Sequence, residues 1–312
     1  MIKAMDKKIY KNIVIGAGIS GLNTARELNK NGELTIVLEK SRGFGGRLAT
    51  RRTLSTTFDH GAQFYRLKES TAILHQEFAA KDLSYLWFEE NSFKHYSSTK
   101  GMTLFAKELA KNLETRLEFL VQNIRLENNL WHLQSDKGES VVGERVILTA
   151  PVPQTLILLD NNQLAYPESL KKIRYTKALI LLVTSENKNG LDKIYQENIS
   201  PFFSIADQQS KQLSSVPAFT FTMDANFSEA NFENTDEENV KAILVEINHA
   251  FPDLKIIGAE LKKWRYCQVL DAFQELYCEV MPNFYLIGDG FGGASINGAL
   301  RSSNAFIKAL NK

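Results

Sequence analysis

Glycines near the start of the chain have the spacing of a dinucleotide-binding turn. Gly16, Gly18 and Gly21 form a G-x-G-x-x-G pattern that follows an apolar run and opens a helix-forming stretch. The first glycine permits a tight turn, the second lets the backbone approach a pyrophosphate, and the third lets helix and strand pack closely. The N–H groups at the helix N-terminus favour phosphate. The pattern therefore predicts a phosphate-binding turn, with Ile19 and Ser20 inside it.

An acidic residue follows at the distance expected for a ribose contact. Glu39 ends the next apolar stretch, about twenty residues beyond the glycines, where a carboxylate can accept hydrogen bonds from ribose hydroxyls. Strand signals at 12–15 and 34–38 flank helix signals at 22–31. These segments predict a βαβ unit, which an ordinary glycine-rich turn would not require.

Two more glycine-rich patches could contact the same cofactor. Gly45, Gly46 and Arg47 follow Glu39 closely, so backbone and a forked guanidinium could reach a diphosphate. At the far end of the chain, Asp289 follows a strand-like run and suits a ribityl hydroxyl or a water that bridges to phosphate. An exposed loop with a stray arginine and a common Gly-Asp turn are the ordinary alternatives.

The remaining elements predict two interleaved domains. Helix signals occur at 103–113 and 296–310, and Thr235 and Glu238 form a capping box that opens a helix to about Ala250. Strand signals occur at 118–126, 130–134, 145–149, 177–183, 201–205, 217–223 and 284–287. We predict an α/β fold with an α+β insert, in which a Rossmann-type cofactor domain adjoins a substrate domain with a mostly antiparallel sheet and helices. The predicted cofactor domain comprises 1–65, 101–152 and 262–312, and the predicted substrate domain comprises 66–100 and 153–261.

Composition excludes several function classes. The 312 residues are 44% hydrophobic with a net charge of +1, which fits a folded chain and argues against nucleic acid as a partner. No apolar run approaches the ~20 residues of a membrane helix, so we expect no membrane partner and a cytoplasmic location. Cys267 and Cys278 form no C-x-x-C pair, and the histidines are dispersed, so we predict no metal site.

The three glycine-rich patches together resemble flavoproteins that hold FAD in an extended pose, among them flavin amine oxidases and hydroxylases of the p-hydroxybenzoate type. Further motifs resemble the renalase family more narrowly, and the resemblance runs from about residue 12 to the end of the chain. These motifs lie at 45–50, 58–64, 148–153, 263–266 and 288–291. The middle is supported only by 173–175 and 203–205, and Cys267 stands where no special chemistry is expected.

The resemblance implies a flavin oxidase that takes hydride from 2- or 6-dihydro isomers of NAD(P)H to flavin N5. The products would be NAD(P)+ and, from O2, hydrogen peroxide. Rearomatisation of the dihydropyridine drives hydride loss, so a catalytic base is not obligatory. One alternative is an amine oxidase, whose relatives usually present a lysine that bridges through water to flavin N5; no such lysine can be placed from the sequence. Another alternative is a catalytically idle FAD-binding module that docks a partner protein. The sequence does not indicate an oligomeric state.

The resemblance also assigns residues. It implies noncovalent FAD, because neither cysteine lies in a flavinylation motif, and it implies cofactor contacts from Gly16, Gly18, Ile19, Ser20, Gly21, Glu39, Lys40, Gly45, Gly46, Arg47, Leu48, His60, Gly61, Ala62, Gln63, Phe64, Val121, Thr149, Ala150, Pro151, Gly288, Asp289, Ile296 and Asn297. Gln63, Tyr65, Tyr175 and Trp264 are expected to line the substrate site, with core packing as the alternative for each. The N-terminus of the last helix could stabilise anionic flavin by up to ~2 kcal/mol.

Overall fold

A computed structural model describes residues 8–54 and 56–311. Within these ranges the strands, in chain order, are β1 (Ile9–Ile15), β2 (Thr35–Leu38), β3 (Thr50–Arg52), β4 (Thr57–Asp59), β5 (Tyr65–Arg66), β6 (Tyr85–Glu90), β7 (Phe93–Ser97), β8 (Glu114–Arg116), β9 (Val121–Glu127), β10 (Leu130–Ser135), β11 (Ser140–Leu148), β12 (Arg174–Tyr175), β13 (Ala178–Ser185), β14 (Tyr195–Ile199), β15 (Phe202–Asp207), β16 (Ala218–Met223), β17 (Ile256–Trp264), β18 (Val269–Asp271), β19 (Cys278–Met281) and β20 (Phe284–Leu286). The α-helices of the same ranges are α1 (Ile19–Lys30), α2 (Ala72–Ala80), α3 (Thr103–Ala110), α4 (Val152–Asn161), α5 (Ala225–Asn231), α6 (Asp236–Ala250), α7 (Asp289–Gly292) and α8 (Ser295–Leu310). Short 3-10 helices occur at Glu69–Thr71 and Glu168–Lys172.

The chain packs into two compact units that alternate along the sequence. The first unit consists of the chain up to Gly46, Phe105–Arg174, and the chain from Val269 onward. The second unit consists of Arg47–Leu104 and Tyr175–Gln268. Compactness divides a chain by its packing, whereas our predicted domains divide it by what each part binds, so the predicted ranges stay a prediction.

A mainly parallel sheet forms the centre of the first unit. β1 pairs in parallel with β2 and β11, β11 pairs with β20, and β2 pairs with β8. β10, β9 and β19 add antiparallel pairs. Ile13, Val14 and Ile36 are fully buried, because strands of such a sheet are covered on both faces. The predicted Rossmann-type α/β fold is confirmed.

Helices from the two ends of the chain pack together in the first unit. The hydroxyls of Thr24 on α1 and Ser303 on α8 lie 2.7 Å apart, and the Asn23 amide donates to the Ser303 hydroxyl at 3.0 Å. These small polar side chains are buried but satisfied, so α1 and α8 can approach closely. Their packing holds the N-terminal and C-terminal motifs on one scaffold.

An antiparallel sheet forms the centre of the second unit, as predicted. Its strand order is β14-β15-β16-β13-β17, and α6 packs on it. Leu179 and Leu181 of β13 pack in one buried cluster with Ile243 of α6. The capping box is also confirmed, because the Glu238 N–H donates to the Thr235 hydroxyl at 3.3 Å and the Thr235 N–H donates to the Glu238 carboxylate at 2.9 Å.

Two small sheets complete the second unit. β3 pairs with β4, and the other sheet has the order β5-β7-β6. Aromatic side chains cover part of the latter sheet. His95 stacks on Phe88 with ring centroids 4.1 Å apart, and Phe64 packs edge-on against His95 at 4.5 Å and against Tyr195 at 5.2 Å. Phe64 therefore contributes to a packed aromatic cluster.

Candidate active site

The three glycines of the predicted phosphate-binding turn have different local geometries. Gly16 has φ +109°, a conformation that side chains disfavour, and its N–H donates to the Leu38 carbonyl at 2.8 Å. A Cβ added to Gly21 would overlap the carbonyl oxygen of Gly16. Gly18 has an ordinary φ of −76°, and a Cβ there would meet nothing within 4 Å. Packing therefore explains the glycines at 16 and 21, whereas glycine at 18 suits the close approach of a ligand.

The N-terminus of α1 carries polar groups without protein partners. Gly18 occupies the N-cap position and offers no side-chain hydrogen bond to the first turn. Among the described residues, the Ser20 hydroxyl is buried and has no hydrogen-bond partner. Buried hydroxyls are normally satisfied, and a helix N-terminus attracts anions. The N–H groups at this helix N-terminus and the Ser20 hydroxyl fit a pyrophosphate, whose oxygen atoms would accept hydrogen bonds from both.

Glu39 links the turn to the following loop. One carboxylate oxygen accepts from the Ala17 N–H at 2.8 Å, and the other accepts from the Ser41 N–H at 2.8 Å. Each oxygen keeps a lone pair, so the carboxylate could still accept from a ribose hydroxyl. The Phe119 N–H donates to the Glu39 carbonyl at 2.9 Å, which brings the start of β9 at Val121 to this loop.

The second glycine-rich patch lies beside the first. The Gly45 N–H donates to the Ala17 carbonyl at 2.9 Å, and a Cβ on Gly46 would lie 3.6 Å from Gly18 Cα. Gly45 and Gly46 have φ values of +119° and +51°, which explains why glycine stands at both positions. Lys40 is exposed at the start of this loop. The structure thus joins two patches that the sequence predicts to share a diphosphate.

The end of β11 and the C-terminal patch lie next to the turn. The Thr149 hydroxyl donates to the carbonyl oxygens of Ile15 at 3.0 Å and Gly16 at 3.3 Å. Gly288 has φ +121°, and a Cβ there would lie 3.4 Å from the Thr149 carbonyl oxygen. Asp289 is buried at the start of α7. These groups meet at the carboxyl ends of parallel strands, where open α/β sheets bind their ligands.

Other predicted cofactor residues of the first unit lie at element ends. Ala150 and Pro151 are half-buried, and Pro151 occupies the N-cap position of α4. Ile19 begins α1, and Ile296 and Asn297 lie in the first turn of α8. Ile296 is buried and Asn297 is half-buried. Their contacts with a cofactor stay a prediction.

Two segments run side by side in the second unit. The His60 N–H donates to the Ala49 carbonyl at 3.0 Å, and the Ala62 N–H donates to the Arg47 carbonyl at 2.8 Å. Between them, Gly61 lies so close to the Arg47 carbonyl that an added Cβ would overlap it. We call residues 60–62 the His60–Ala62 turn. Leu48, opposite the turn, is buried.

His60 and Trp264 form an aromatic wall beside this turn. Their ring centroids are 5.7 Å apart with planes inclined by 22°, and the Trp264 indole N–H donates to the His60 carbonyl at 2.8 Å. Burial, with a smaller contribution from the Lys262 ammonium, lowers the pKa of His60 to about 4. The imidazole is therefore neutral at pH 7 and a weak base. Its Nδ1 has no hydrogen-bond partner in the described part of the chain.

Arg47 and Tyr175 lie together in the same unit. The Arg47 guanidinium lies 5.8 Å from the Tyr175 ring centroid and donates to the Cys267 carbonyl at 3.1 Å. The Tyr175 ring packs edge-on against Tyr266 at 5.9 Å. Arg47 and Tyr175 are both half-buried, so each keeps some accessible surface. Cys267 and Cys278 form no disulfide within the described part of the chain.

Gln63 and Tyr65 point into the protein interior. The Gln63 amide nitrogen donates to the Asp59 carbonyl at 2.7 Å, and its amide oxygen accepts from Gln208 at 3.1 Å. The Tyr65 hydroxyl contacts His75 Nδ1 at 2.8 Å, and burial raises the pKa of Tyr65 to about 12. Both side chains are thus engaged by other protein groups, and their predicted contact with a substrate stays a prediction.

Lys211 was not predicted from the sequence to be a buried residue near the candidate site. Its side chain is fully buried and forms an ion pair with Asp59 at 2.6 Å. The residues around it, Asp207-Gln208-Gln209-Ser210-Lys211, are all polar and read as a surface loop. Only the position of Asp59 inside the motif at 58–64 hinted that a partner was needed.

Residues 8–54 and 56–311 contain neither a candidate metal cluster nor a membrane-spanning helix. There, no three His, Cys, Asp or Glu side chains are grouped in a way that could hold a metal ion. No helix in those ranges is long and apolar enough to cross a membrane.

Comparison with known proteins places the chain among flavoenzymes. Residues 14–78 match the NAD(P)-binding Rossmann-like domain, and residues 70–305 match the flavin containing amine oxidoreductase model. Renalase of Mus musculus is 24% identical over 96% of this chain and 98% of its own length. The structure of a putrescine oxidase bound to putrescine superposes with a TM-score of 0.76 at 12% identity, covering 98% of this chain and 99% of the other. Cyclohexylamine oxidase from Brevibacterium oxydans gives a TM-score of 0.71 at 10% identity, covering 98% and 100%.

Proposed function

The chain belongs to the flavin containing amine oxidoreductase family, and we propose that it oxidises 2- or 6-dihydro isomers of NAD(P)H. It is a renalase-like, FAD-dependent oxidoreductase. When bound, FAD supplies a two-electron acceptor that takes hydride at N5 and passes the electrons to O2. The proposed net reaction converts the dihydro isomer, O2 and one proton into NAD(P)+ and hydrogen peroxide.

We propose that FAD is held noncovalently, chiefly by backbone groups. The open space at Gly18 and the unpartnered Ser20 hydroxyl support pyrophosphate binding at the N-terminus of α1. Glu39 would take the adenosine ribose, and Asp289 would take the ribityl end.

The observation that carries the substrate proposal is the neutral aromatic wall of His60 and Trp264. A dihydropyridine is flat, and it becomes aromatic as it loses hydride, so the protein needs to hold the ring rather than remove a proton from it. Trp264 offers a flat surface, and its orientation is fixed by the hydrogen bond to His60. The imidazole, with a pKa of about 4, contributes surface without charge.

The buried lysine supports the same substrate over an amine. An ammonium has three N–H donors, and Lys211 has three protein acceptors, namely one carboxylate oxygen of Asp59 and both oxygen atoms of Gln63. It therefore has no N–H left for a water that would bridge to a flavin. An amine substrate must also lose its own proton before it can yield hydride, and His60 is a weak acceptor for it.

Anaerobic reduction of the purified yellow protein tests the proposal. The protein is mixed with borohydride-reduced NAD+, which contains the 2- and 6-dihydro isomers, and separately with a panel of amines that includes putrescine. Because the borohydride product also contains the 4-dihydro isomer, authentic NADH is the control. We expect loss of the visible absorbance band of the flavin to be rapid with the isomer mixture, and much slower with NADH and the amines.

The same experiment distinguishes the alternatives. Bleaching by amines alone would replace the proposal with amine oxidation, which the structural similarity to putrescine oxidase makes the second candidate. No bleaching by either set would favour a non-catalytic FAD-binding module. Production of hydrogen peroxide after air is admitted tests the oxidase step. We propose a dihydronicotinamide dinucleotide and O2 as the small-molecule partners, and the cytoplasm as the location.

Trp264→Ala should slow flavin reduction while FAD stays bound. Removing the indole takes away the flat wall, and we expect the anaerobic reduction rate to fall at least ~10-fold, or about 1.4 kcal/mol in barrier height. Stopped-flow absorbance measures this rate, and the visible spectrum measures FAD content. Trp264→Phe keeps a flat ring but loses the hydrogen bond to His60. Its reduction rate is expected to lie between the rates of the wild-type protein and of Trp264→Ala. A normal rate in Trp264→Ala would make Trp264 a packing residue of the cluster that contains Phe58 and Ile180.

A further inference from the structure

A lysine and an aspartate form a fully buried ion pair in the second unit. Lys211 Nζ lies 2.6 Å from Asp59 Oδ2, and neither side chain is exposed to solvent. Removing two charges from water costs several kcal/mol for each ion, so such a pair gives little net stability and is often dispensable for the fold. The Lys211 side chain also lies over the Trp87 ring at 5.0 Å.

The remaining protons of Lys211 reach a second residue of the same segment. They are donated to the Gln63 backbone carbonyl at 2.7 Å and to the Gln63 amide oxygen at 3.3 Å. Burial lowers the pKa of Lys211, and the Asp59 carboxylate acts in the opposite direction. Three acceptors surround Lys211 Nζ, and only the ammonium form has three N–H donors to satisfy them. One charged group thus holds two residues that stand four positions apart in the chain.

Asp59 is fixed from the other side as well. Its second carboxylate oxygen accepts from the Thr50 hydroxyl at 2.6 Å and from the Met102 N–H at 2.9 Å. Its carbonyl accepts from the Thr220 hydroxyl at 2.9 Å. The network therefore holds both ends of the segment, at 59 and 63, while the His60–Ala62 turn between them carries no side-chain bond to Lys211.

Trp264 is hydrogen-bonded to this turn and also packs against the cluster that contains Phe58 and Ile180. Its indole N–H donates to the His60 carbonyl at 2.8 Å, and its ring stacks on the imidazole. The His60 carbonyl that accepts from the indole lies between Asp59 and Gln63, the two residues that Lys211 holds. We propose that Lys211 is a positioning residue that sets the His60–Ala62 turn and, through it, the orientation of Trp264. The link to catalysis rests on the proposed function, whereas the link to Trp264 does not.

Fluorine NMR of the full-length, flavin-bound protein labelled with 5-fluorotryptophan tests the inference. The chain has three tryptophans, at 87, 131 and 264, and each resonance is assigned with its Trp→Phe variant. In Lys211→Met we expect the Trp264 resonance to shift or to split well below the unfolding temperature. Trp87 must shift in any case because its cation is gone, and Trp131, which belongs to the other unit, should stay in place. A purely structural Lys211 would lower the unfolding temperature and leave the Trp264 resonance unchanged, which would overturn the proposal.

Two further variants keep the test decisive. Lys188→Met makes the same substitution in the ion pair with Asp207, where the lysine is partly exposed, and the Trp264 resonance should not move. Lys211→Met alone leaves a buried carboxylate without its cation, so it is also combined with Asp59→Asn, which removes both charges. If the single variant does not fold, the double variant decides. We expect it to fold and to keep the altered Trp264 resonance, whereas a wild-type resonance in the double variant would refute the positioning role.

Flavin reduction separates this inference from the proposed function. We expect the rate with the isomer mixture to fall at least ~10-fold in the double variant, with a smaller change in substrate affinity. If the wild-type protein is not reduced by the isomer mixture, the proposed substrate fails, and the Trp264 resonance still decides on Lys211. If Trp264 shifts but the reduction rate stays normal, the turn is positioned by Lys211 but the claimed link to catalysis is wrong.

Discussion

Replacing Gly18 with alanine is expected to strip FAD from the purified protein while its thermal stability without flavin stays unchanged. The position has an ordinary φ of −76°, and a Cβ there meets no protein atom within 4 Å. The methyl group would instead occupy space that the proposed pyrophosphate needs. We expect the dissociation constant of FAD to rise at least ~100-fold, or about 2.8 kcal/mol. Fluorescence titration of flavin-depleted protein measures it.

Alanine substitutions at two other glycines serve as comparisons for this prediction. Gly43→Ala lies in the next loop, where a Cβ also meets nothing within 4 Å, and it should change neither stability nor FAD affinity. Gly21→Ala forces a Cβ onto the Gly16 carbonyl and should reduce both the stability of the protein and its affinity for FAD. Full retention of FAD by Gly18→Ala would mean that the pyrophosphate does not pass this glycine, and the cofactor site would have to be reassigned.

Local patterns in the sequence were enough to predict the βαβ motif at the start of the first unit. One compact βαβ motif was predicted from the glycine spacing, two apolar strands and Glu39. In the structure, α1 and β2 form close to where they were expected. The capping box at Thr235 is equally local, since both of its hydrogen bonds join residues within one helical turn. Interactions of this kind are encoded in short stretches and survive without knowledge of the tertiary fold.

Features that depend on long-range contacts were not predicted. β5 has two residues and β3 has three, too few for an alternating pattern to stand out, and their pairing partners decide that they are strands. Lys211 looks like a surface residue because its partner Asp59 lies 152 positions away. Likewise, the hydrogen bond of Gln63 to Gln208 joins residues 145 positions apart and was not predicted, while the expected substrate contacts of Gln63 and Tyr65 stay a prediction.

The near-neutral charge of the chain becomes understandable at the candidate FAD site. A net charge of +1 would be a poor general attractant for a dianionic pyrophosphate. The groups that face the proposed phosphate position are backbone N–H groups and the Ser20 hydroxyl at the N-terminus of α1, which attract an anion through fixed dipoles. Such a site is local, so it requires no surplus of lysine and arginine elsewhere.

Gly61→Ala should cause a large loss of stability. Its Cβ would overlap the carbonyl oxygen of Arg47, and that oxygen cannot move freely because it accepts from the Ala62 N–H at 2.8 Å. Backbone is thus pressed against backbone, and neither side can relax by a rotamer change. We expect the free energy of unfolding to fall by about 3 kcal/mol or more. Denaturant titration followed by circular dichroism measures this loss.

Gly258→Ala in the same unit is the matched control for that prediction. There the added Cβ would meet only the Thr184 hydroxyl, which can rotate away, so the loss should be below ~1.5 kcal/mol. Since the segments at 47–49 and 60–62 are joined by hydrogen bonds on both sides of Gly61, displacing one of them must also move the His60 carbonyl that Trp264 uses. Any Gly61→Ala protein that does fold should therefore show the same altered Trp264 resonance as the Lys211 variants. Equal stability of the two alanine variants would mean that the close approach at Gly61 is not a feature of the folded protein.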